Sequence, residues 1–170
     1  EDNCLNNSII FGNLPYNISS QILVKLLKFK NWPPKFNNLI LMFQKELGEK
    51  ILGRYLTKNY GRLSIISNFR FKIIKKFLVS PNCFIPKPKV TSLVLHLIPK
   101  KESLSIKDIN NLEKITNILF SNKRKMIKKN LEKIFSLEQI ALIKNLKLSS
   151  RPMEIKPEIY YKIAQLYENK

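Results

Sequence analysis

Ser8-Ile9-Ile10-Phe11-Gly12-Asn13-Leu14-Pro15-Tyr16 is the stretch on which the reading of this chain turns. Residues 8–12 form a short apolar run that ends in glycine, the pattern of a buried strand passing into a loop. In an open α/β sheet, the loop at a strand's carboxyl end faces the ligand crevice. The loop here carries a distinctive set of groups. Asn13 has a side-chain carbonyl, and a backbone carbonyl beside the rigid Pro15 is a second acceptor in a fixed direction. Two acceptors aimed at one point suit an exocyclic amino group, which brings two N–H donors. Tyr16 adds a flat face on which a base can stack. Asn, Pro and Tyr are also ordinary turn residues, so the motif alone leaves a plain loop open.

Outward from this point the pattern alternates. Residues 19–30 carry Ile22, Leu23, Leu26, Leu27 and Phe29 at helical spacing, with Ser19 or Ser20 as the expected N-cap and Trp32-Pro33-Pro34 as the stop. Residues 38–43 read as a second buried strand, and 44–56 as the helix after it. The segment 60–69 is ambiguous between helix and strand. Residues 70–79 and 90–98 are rich in Ile, Val, Leu and Phe and flank a proline-rich turn from Pro81 to Pro88, so they read as two antiparallel strands. The predicted fold class is α/β. Beyond Pro99-Lys100-Lys101 the apolar spacing turns helical throughout: Ile109 to Leu119, Ile127 to Ile134, Ile140 to Leu146 and Ile159 to Leu166. Ser136 and Gln139 fit a capping box at the third of these helices. A boundary is expected near residue 102, which gives an α/β part over 1–102 and a small all-helical domain over 103–170.

The 170 residues carry 31 Lys and Arg against 12 Asp and Glu, a net charge of +19. Such a surface predicts a polyanionic partner, most often nucleic acid. Lysine outnumbers arginine 26 to 5, and 18 Asn and 23 Ile stand against 2 Ala, a profile typical of AT-rich coding. That bias explains Lys over Arg but not the shortage of acids. No apolar run approaches the roughly 18 residues of a membrane span. Cys4 and Cys83 have no C-x-x-C spacing, so neither a zinc site nor a disulfide framework is expected. With four glycines, the chain holds no glycine-rich phosphate or dinucleotide cradle. His96 lies in an apolar strand and reads as structural.

Five blocks carry a family resemblance. They are Gly12-Asn13-Leu14-Pro15-Tyr16-Asn17-Ile18-Ser19; Met42-Phe43-Gln44-Lys45-Glu46; Tyr60-Gly61-Arg62-Leu63-Ser64; Phe84-Ile85-Pro86-Lys87-Pro88-Lys89-Val90-Thr91-Ser92; and Phe120-Ser121-Asn122-Lys123-Arg124-Lys125 followed by Asn130-Leu131. In this order they resemble the KsgA-type rRNA adenine dimethyltransferases, and the last block favours these over the related resistance methylases of large-subunit rRNA. The resemblance implies the C-terminal half of a Rossmann-like S-adenosylmethionine-dependent methyltransferase sheet followed by a helical RNA-positioning domain. It implies that Asn13, Leu14, Pro15 and Tyr16 make up the catalytic motif, with Asn13 and the Leu14 carbonyl accepting from the target adenine amine. Tyr16 would stack on the ring and Phe84 pack against it from another side. The implied reaction moves a methyl group from S-adenosylmethionine to the amine, twice per adenine. The implied partner is small-subunit rRNA or a pre-ribosomal particle, met in the cytoplasm by a monomer, with no metal and no membrane.

Lys123, Arg124, Lys125, Lys128 and Lys129 place five basic residues in seven positions. On a helix they would lie opposite Ile127, Leu131 and Ile134. Phosphate contact is the functional reading, and a solvated helix face the ordinary one. The family carries its glycine-rich cofactor loop ahead of the Asn-Leu-Pro-Tyr motif, whereas twelve residues precede Asn13 here. The expectation is therefore a chain that resembles a fragment, with an incomplete cofactor site bordered by Asn13 and no activity by itself. Two other readings stand beside it: an amino-methyltransferase acting on another RNA or on DNA, and a non-catalytic RNA-binding protein.

Overall fold

The computed structural model describes residues 5–100 and 106–170. Two compact units emerge, one from Glu1–Leu52 with Ser67–Glu102, the other from Gly53–Ile66 with Ser103–Lys170. The boundary expected near residue 102 and the side chain of Cys4 lie outside the described residues. The second unit also takes in residues 53–66, an excursion for which the sequence carries no compositional signal.

The first unit is a four-stranded mixed sheet with helices. β1 (Ser8–Asn13) leads through helix α1 (Ser19–Leu27) to β2 (Phe36–Gln44), which lies parallel to it. Helix α2 (Lys45–Ile51) follows directly. Helix α3 (Arg62–Arg70) runs across the division between the units and leads into β3 (Phe71–Val79). A long connection then reaches β4 (Ser92–Pro99). The sheet order is β1-β2-β4-β3, with β4 antiparallel to both neighbours. The expected strand–helix–strand–helix order and the antiparallel pair are present.

Alternation decides which face is buried. Leu39, Leu41 and Phe43 of β2 lie opposite Leu97, Leu95 and Leu93 of β4, and all six are buried. The other face is half-buried, and there the His96 ring nitrogen Nε2 lies 2.6 Å from the Asn38 side-chain oxygen. His96 is thus held by an amide, as its structural reading requires. At the far end of the sheet, Trp32 meets Phe71 edge-on at 5.3 Å and donates its indole N–H to the Lys100 carbonyl at 2.8 Å. The buried Arg70 guanidinium stacks on Trp32 at 4.3 Å and donates to the Phe29 carbonyl. Helix α1 ends at Leu27, short of the proline pair. Its N-cap is Ile18, with no side-chain cap. Ser19 is committed elsewhere: its hydroxyl donates to the Tyr16 carbonyl at 3.1 Å.

The second unit is helical. α4 (Ile109–Phe120) packs on α7 (Pro157–Glu168), and α5 (Lys128–Glu132) and α6 (Leu137–Ala141) lie between them in sequence. Leu112, Ile115, Leu119, Ile127, Leu131, Tyr160 and Ile163 are fully buried. The expected capping box is formed, with Ser136 and Gln139 exchanging both hydrogen bonds. The hydroxyls of Tyr60, Tyr160 and Tyr161 donate to backbone carbonyls, Tyr60 to Ile155 at 2.7 Å, Tyr160 to Pro152 at 2.7 Å and Tyr161 to Ile65 at 3.2 Å. Burial pushes the ionisation of all three far above the ordinary phenol range. Among the described residues no helix is long and apolar enough to cross a membrane.

Candidate active site

The strand quoted at the outset ends where its loop was expected to open a crevice. β1 aligns with β2 so that Gly12 faces Leu41 and Asn13 faces Met42. A Cβ on Gly12 would sit 2.7 Å from the Leu41 Cδ2 and 3.1 Å from the Leu14 Cδ2. Glycine leaves room here for the Leu41 and Leu14 side chains, whose flexible ends would have to shift around a Cβ. The Ile18 N–H donates to the Pro15 carbonyl at 3.1 Å and closes the loop.

A cavity of about 290 Å³ lies at this loop. It is lined by Asn13, Leu14, Pro15 and Tyr16 from one loop, by Met42 of β2, and by Phe84, Ile85, Pro86 and Pro88 from a second loop. The two loops are about seventy residues apart, so the sheet brings the two proposed aromatic platforms to one pocket. The Asn13 side chain is exposed and makes no hydrogen bond to another described residue. Its carbonyl is therefore open to an incoming donor. Phe84 is half-buried and follows a 3-10 turn, Pro81–Cys83, that Ser80 caps by accepting from the Asn82 N–H. Ile85 is fully exposed and joined to Pro86 by a cis peptide bond.

Tyr16 is held more firmly than its loop position predicts. Its hydroxyl lies 2.5 Å from the Ser92 Oγ, and Ser92 is fully buried. Sequence reasoning included Ser92 in the last residues of a family block and assigned it no role. The partners are 76 positions apart, and no local pattern announces the pair.

The basic group is arranged differently from the expectation. Lys123, Arg124 and Lys125 lie in the turn after α4, and only Lys128 and Lys129 are helical. The helix starts late because the Ile127 N–H donates to the Ser150 carbonyl at 3.0 Å, while the Lys125 N–H closes a turn onto Asn122. All five basic residues are exposed, and Ile127 and Leu131 are buried beneath them as expected. Asn130, in the same block, is a positioning residue that the sequence reading did not single out. It is 9% exposed and donates its side-chain amide to the Ile118 carbonyl at the end of α4. Lys128 has Glu132 as an ionic neighbour at 3.8 Å. A larger concavity, about 660 Å³, belongs to the second unit and is lined by Tyr55 and Lys144 among others. It contains none of the motif residues, so the smaller pocket is the candidate site.

Of the four glycines, Gly12, Gly48 and Gly53 are tightly packed and Gly61 has open space around it. None belongs to a glycine-rich turn. Among the described residues, no group of three or more His, Cys, Asp or Glu is placed to hold a metal ion.

Known proteins are similar to this chain in sequence and fold. The family model for ribosomal RNA adenine dimethylase matches residues 1–169. Ribosomal RNA small subunit methyltransferase A of Pelagibacter ubique is 40% identical over 161 residues, 94% of this chain and 62% of the relative. The protein of that name from Xanthobacter autotrophicus is 37% identical over 93% of this chain and 55% of its own length. The chain thus spans about three-fifths of the length of these relatives. The crystal structure of a dimethyladenosine transferase from Plasmodium falciparum superposes with a TM-score of 0.74 at 27% identity, covering 92% of this chain and 65% of that one. The 23S rRNA methyltransferase ErmE shares the fold with a TM-score of 0.59 at 20% identity. From its N-terminal strand to its last helix, this chain belongs to the ribosomal RNA adenine dimethylase family.

Proposed function

We propose that this chain forms the target-base side and the RNA-positioning part of an adenine dimethyltransferase acting on small-subunit rRNA. The observation that carries the reading is the pocket itself: an open amide acceptor, Asn13, at a strand's carboxyl end, with Tyr16 and Phe84 on opposing loops. A flat heterocycle bearing an exocyclic amine fits those groups. The relatives' names support rRNA as the target.

An adenine amine is a poor nucleophile because its lone pair is delocalised into the ring. The Asn13 carbonyl and the Leu14 backbone carbonyl, accepting from its two N–H groups, hold the nitrogen in the geometry that localises this pair. Tyr16 and Phe84 hold the ring plane, and positioning of this kind contributes much of a bimolecular barrier reduction. The adenine must be single-stranded or turned out of its stack to enter. After one transfer and release of one amine proton to solvent, the amine keeps one hydrogen, so one acceptor still orients it for the second. S-adenosylmethionine, when bound, supplies an electrophilic methyl group on a positively charged sulfur. The described residues fit one border of its site, at Asn13, and hold no glycine-rich turn for the rest. The five basic residues from Lys123 to Lys129 contact phosphates and place the RNA. We read the protein as a cytoplasmic monomer that takes rRNA or a pre-ribosomal particle, with residues 103–170 as its RNA-positioning domain.

The test uses the natural gene product with under-methylated small ribosomal subunits and labelled S-adenosylmethionine. Nucleoside analysis should find N6,N6-dimethyladenosine, and Asn13→Ala should abolish it. Label confined to large-subunit rRNA or DNA, or no transfer at all, would overturn the reading.

A further inference from the structure

We propose that Ser92 is a positioning residue of the base pocket, fixing the Tyr16 ring in the plane that stacking on an adenine requires. The inference rests on the base-pocket reading and deepens it. A tyrosine side chain has two soft torsions, and an unrestrained ring at a loop would lose that freedom each time a base stacked on it. Here both ends of Tyr16 are tied. The Ser19 hydroxyl donates to its backbone carbonyl at 3.1 Å, and its own hydroxyl lies 2.5 Å from the Ser92 Oγ. Ser19 and Ser92 are both fully buried.

Ser92 is itself a fixed point. It is the first residue of β4, where it pairs with Gln44 of β2 on one side and Val79 of β3 on the other. The preceding carbonyl, of Thr91, accepts from the Lys45 N–H at 2.9 Å. Ser92 also ends the connection from β3 that carries Phe84. The Tyr16–Ser92 bond therefore ties one aromatic wall of the pocket to the root of the loop that supplies the other. A serine kept only for a snug fit at the start of a strand would need no contact with a half-exposed phenol.

The experiment measures binding of the 170-residue chain to a short single-stranded RNA carrying one adenine, and to the same RNA with an abasic site at that position. A third RNA, with 2-aminopurine there, reports stacking through fluorescence quenching. Ser92→Ala and Tyr16→Phe each remove the bond from one side, and Tyr16→Phe keeps the ring. Each should lower the adenine-over-abasic preference about 2- to 10-fold, the range one net hydrogen bond supports, and reduce the quenching. Affinity for the abasic RNA should stay unchanged. The double variant should be no worse than the poorer single one, because both remove the same interaction. Ser92→Thr should restore the preference. Losses that multiply in the double variant, or a Tyr16→Phe protein with wild-type preference and quenching, would overturn the inference. Tyr16→Phe leaves the buried position untouched and decides the matter even if Ser92→Ala fails to fold. A wild-type chain with no adenine preference would instead overturn the base-pocket reading, and this inference with it.

Discussion

Raising the pH should unfold the helical unit through its buried tyrosines. Tyr60 is 4% exposed and Tyr160 fully buried, and both hydroxyls donate to backbone carbonyls. Ionising either in place would set a phenolate against a carbonyl oxygen in a dry environment, so burial raises both far above the ordinary value. The unfolded chain has no such restraint and releases these protons near pH 10. Above that pH the unfolded state binds fewer protons than the native state, so stability falls as pH rises. Below it the contribution is fully present. Each tyrosine that stays protonated only in the native state costs about 1.4 kcal/mol per pH unit. Two of them remove about 5 kcal/mol by roughly pH 12, comparable to the lower end of a small domain's whole stability. The half-buried Tyr161, raised for the same reason, adds to this. Tyrosinate absorbance near 295 nm and helical circular dichroism should be followed together. Ionisation of Tyr60 and Tyr160 should come in one cooperative step that coincides with unfolding. Gradual ionisation of these two with the helices intact would refute the reasoning. Tyr160→Phe should halve the alkaline slope due to Tyr60 and Tyr160, and it should cost about 1–3 kcal/mol at neutral pH by leaving the Pro152 carbonyl without its donor.

Tyr16→Ala removes the stacking face and should weaken binding of an adenine-bearing single strand by about 1–3 kcal/mol, while an abasic strand binds as before; titration against both strands reads this directly. Replacing Lys125, Lys128 and Lys129 with Gln should flatten the dependence of log affinity on log salt by about 0.7 per lost phosphate contact on single-stranded RNA. An unchanged slope would leave these residues as a solvated surface. Gly48→Ala places a Cβ 2.6 Å from the Leu93 Cδ2 in the buried face of the sheet, and it should lower stability by about 1–3 kcal/mol in denaturant unfolding.

Strands were legible as short apolar runs, although the run at 8–12 was expected to be buried and Ile9 and Phe11 are exposed; long helices were legible where one face is apolar and the other polar. Ile109–Phe120 shows this clearly, because its buried positions recur every three or four residues. Arg62–Arg70 was ambiguous for a physical reason: Ser64, Ile65, Ser67, Phe69 and Arg70 are all buried, so burial surrounds the helix and no stripe is left to read. The Asn13–Tyr16 loop could be recognised because strand, glycine and proline are consecutive. Its union with Phe84 followed from a family resemblance, since only the sheet order places the two loops together. The Ser92 partner and the Asn130 tie were hidden for a related reason. Each is a single hydrogen bond to a distant residue, made by a side chain that any loop or helix could carry. Lys123–Lys125 were read as helical because their spacing continues that of α5, whereas the Ile127 N–H is drawn to Ser150.

That last detail changes how the basic turn meets a polyanion. The same lysines on a loose tail would adapt to almost any chain of phosphates and would lose conformational freedom with each contact. Here the segment starts at the end of α4, which Asn130 secures through Ile118, and it is fastened at Ile127 to Ser150. Its backbone has been ordered at folding, before any RNA arrives. A charged surface set in advance matches one spacing of phosphates better than others. On the RNA-positioning role proposed for these residues, the turn would therefore favour the curvature of one folded RNA over another, a task for which net charge alone has no means.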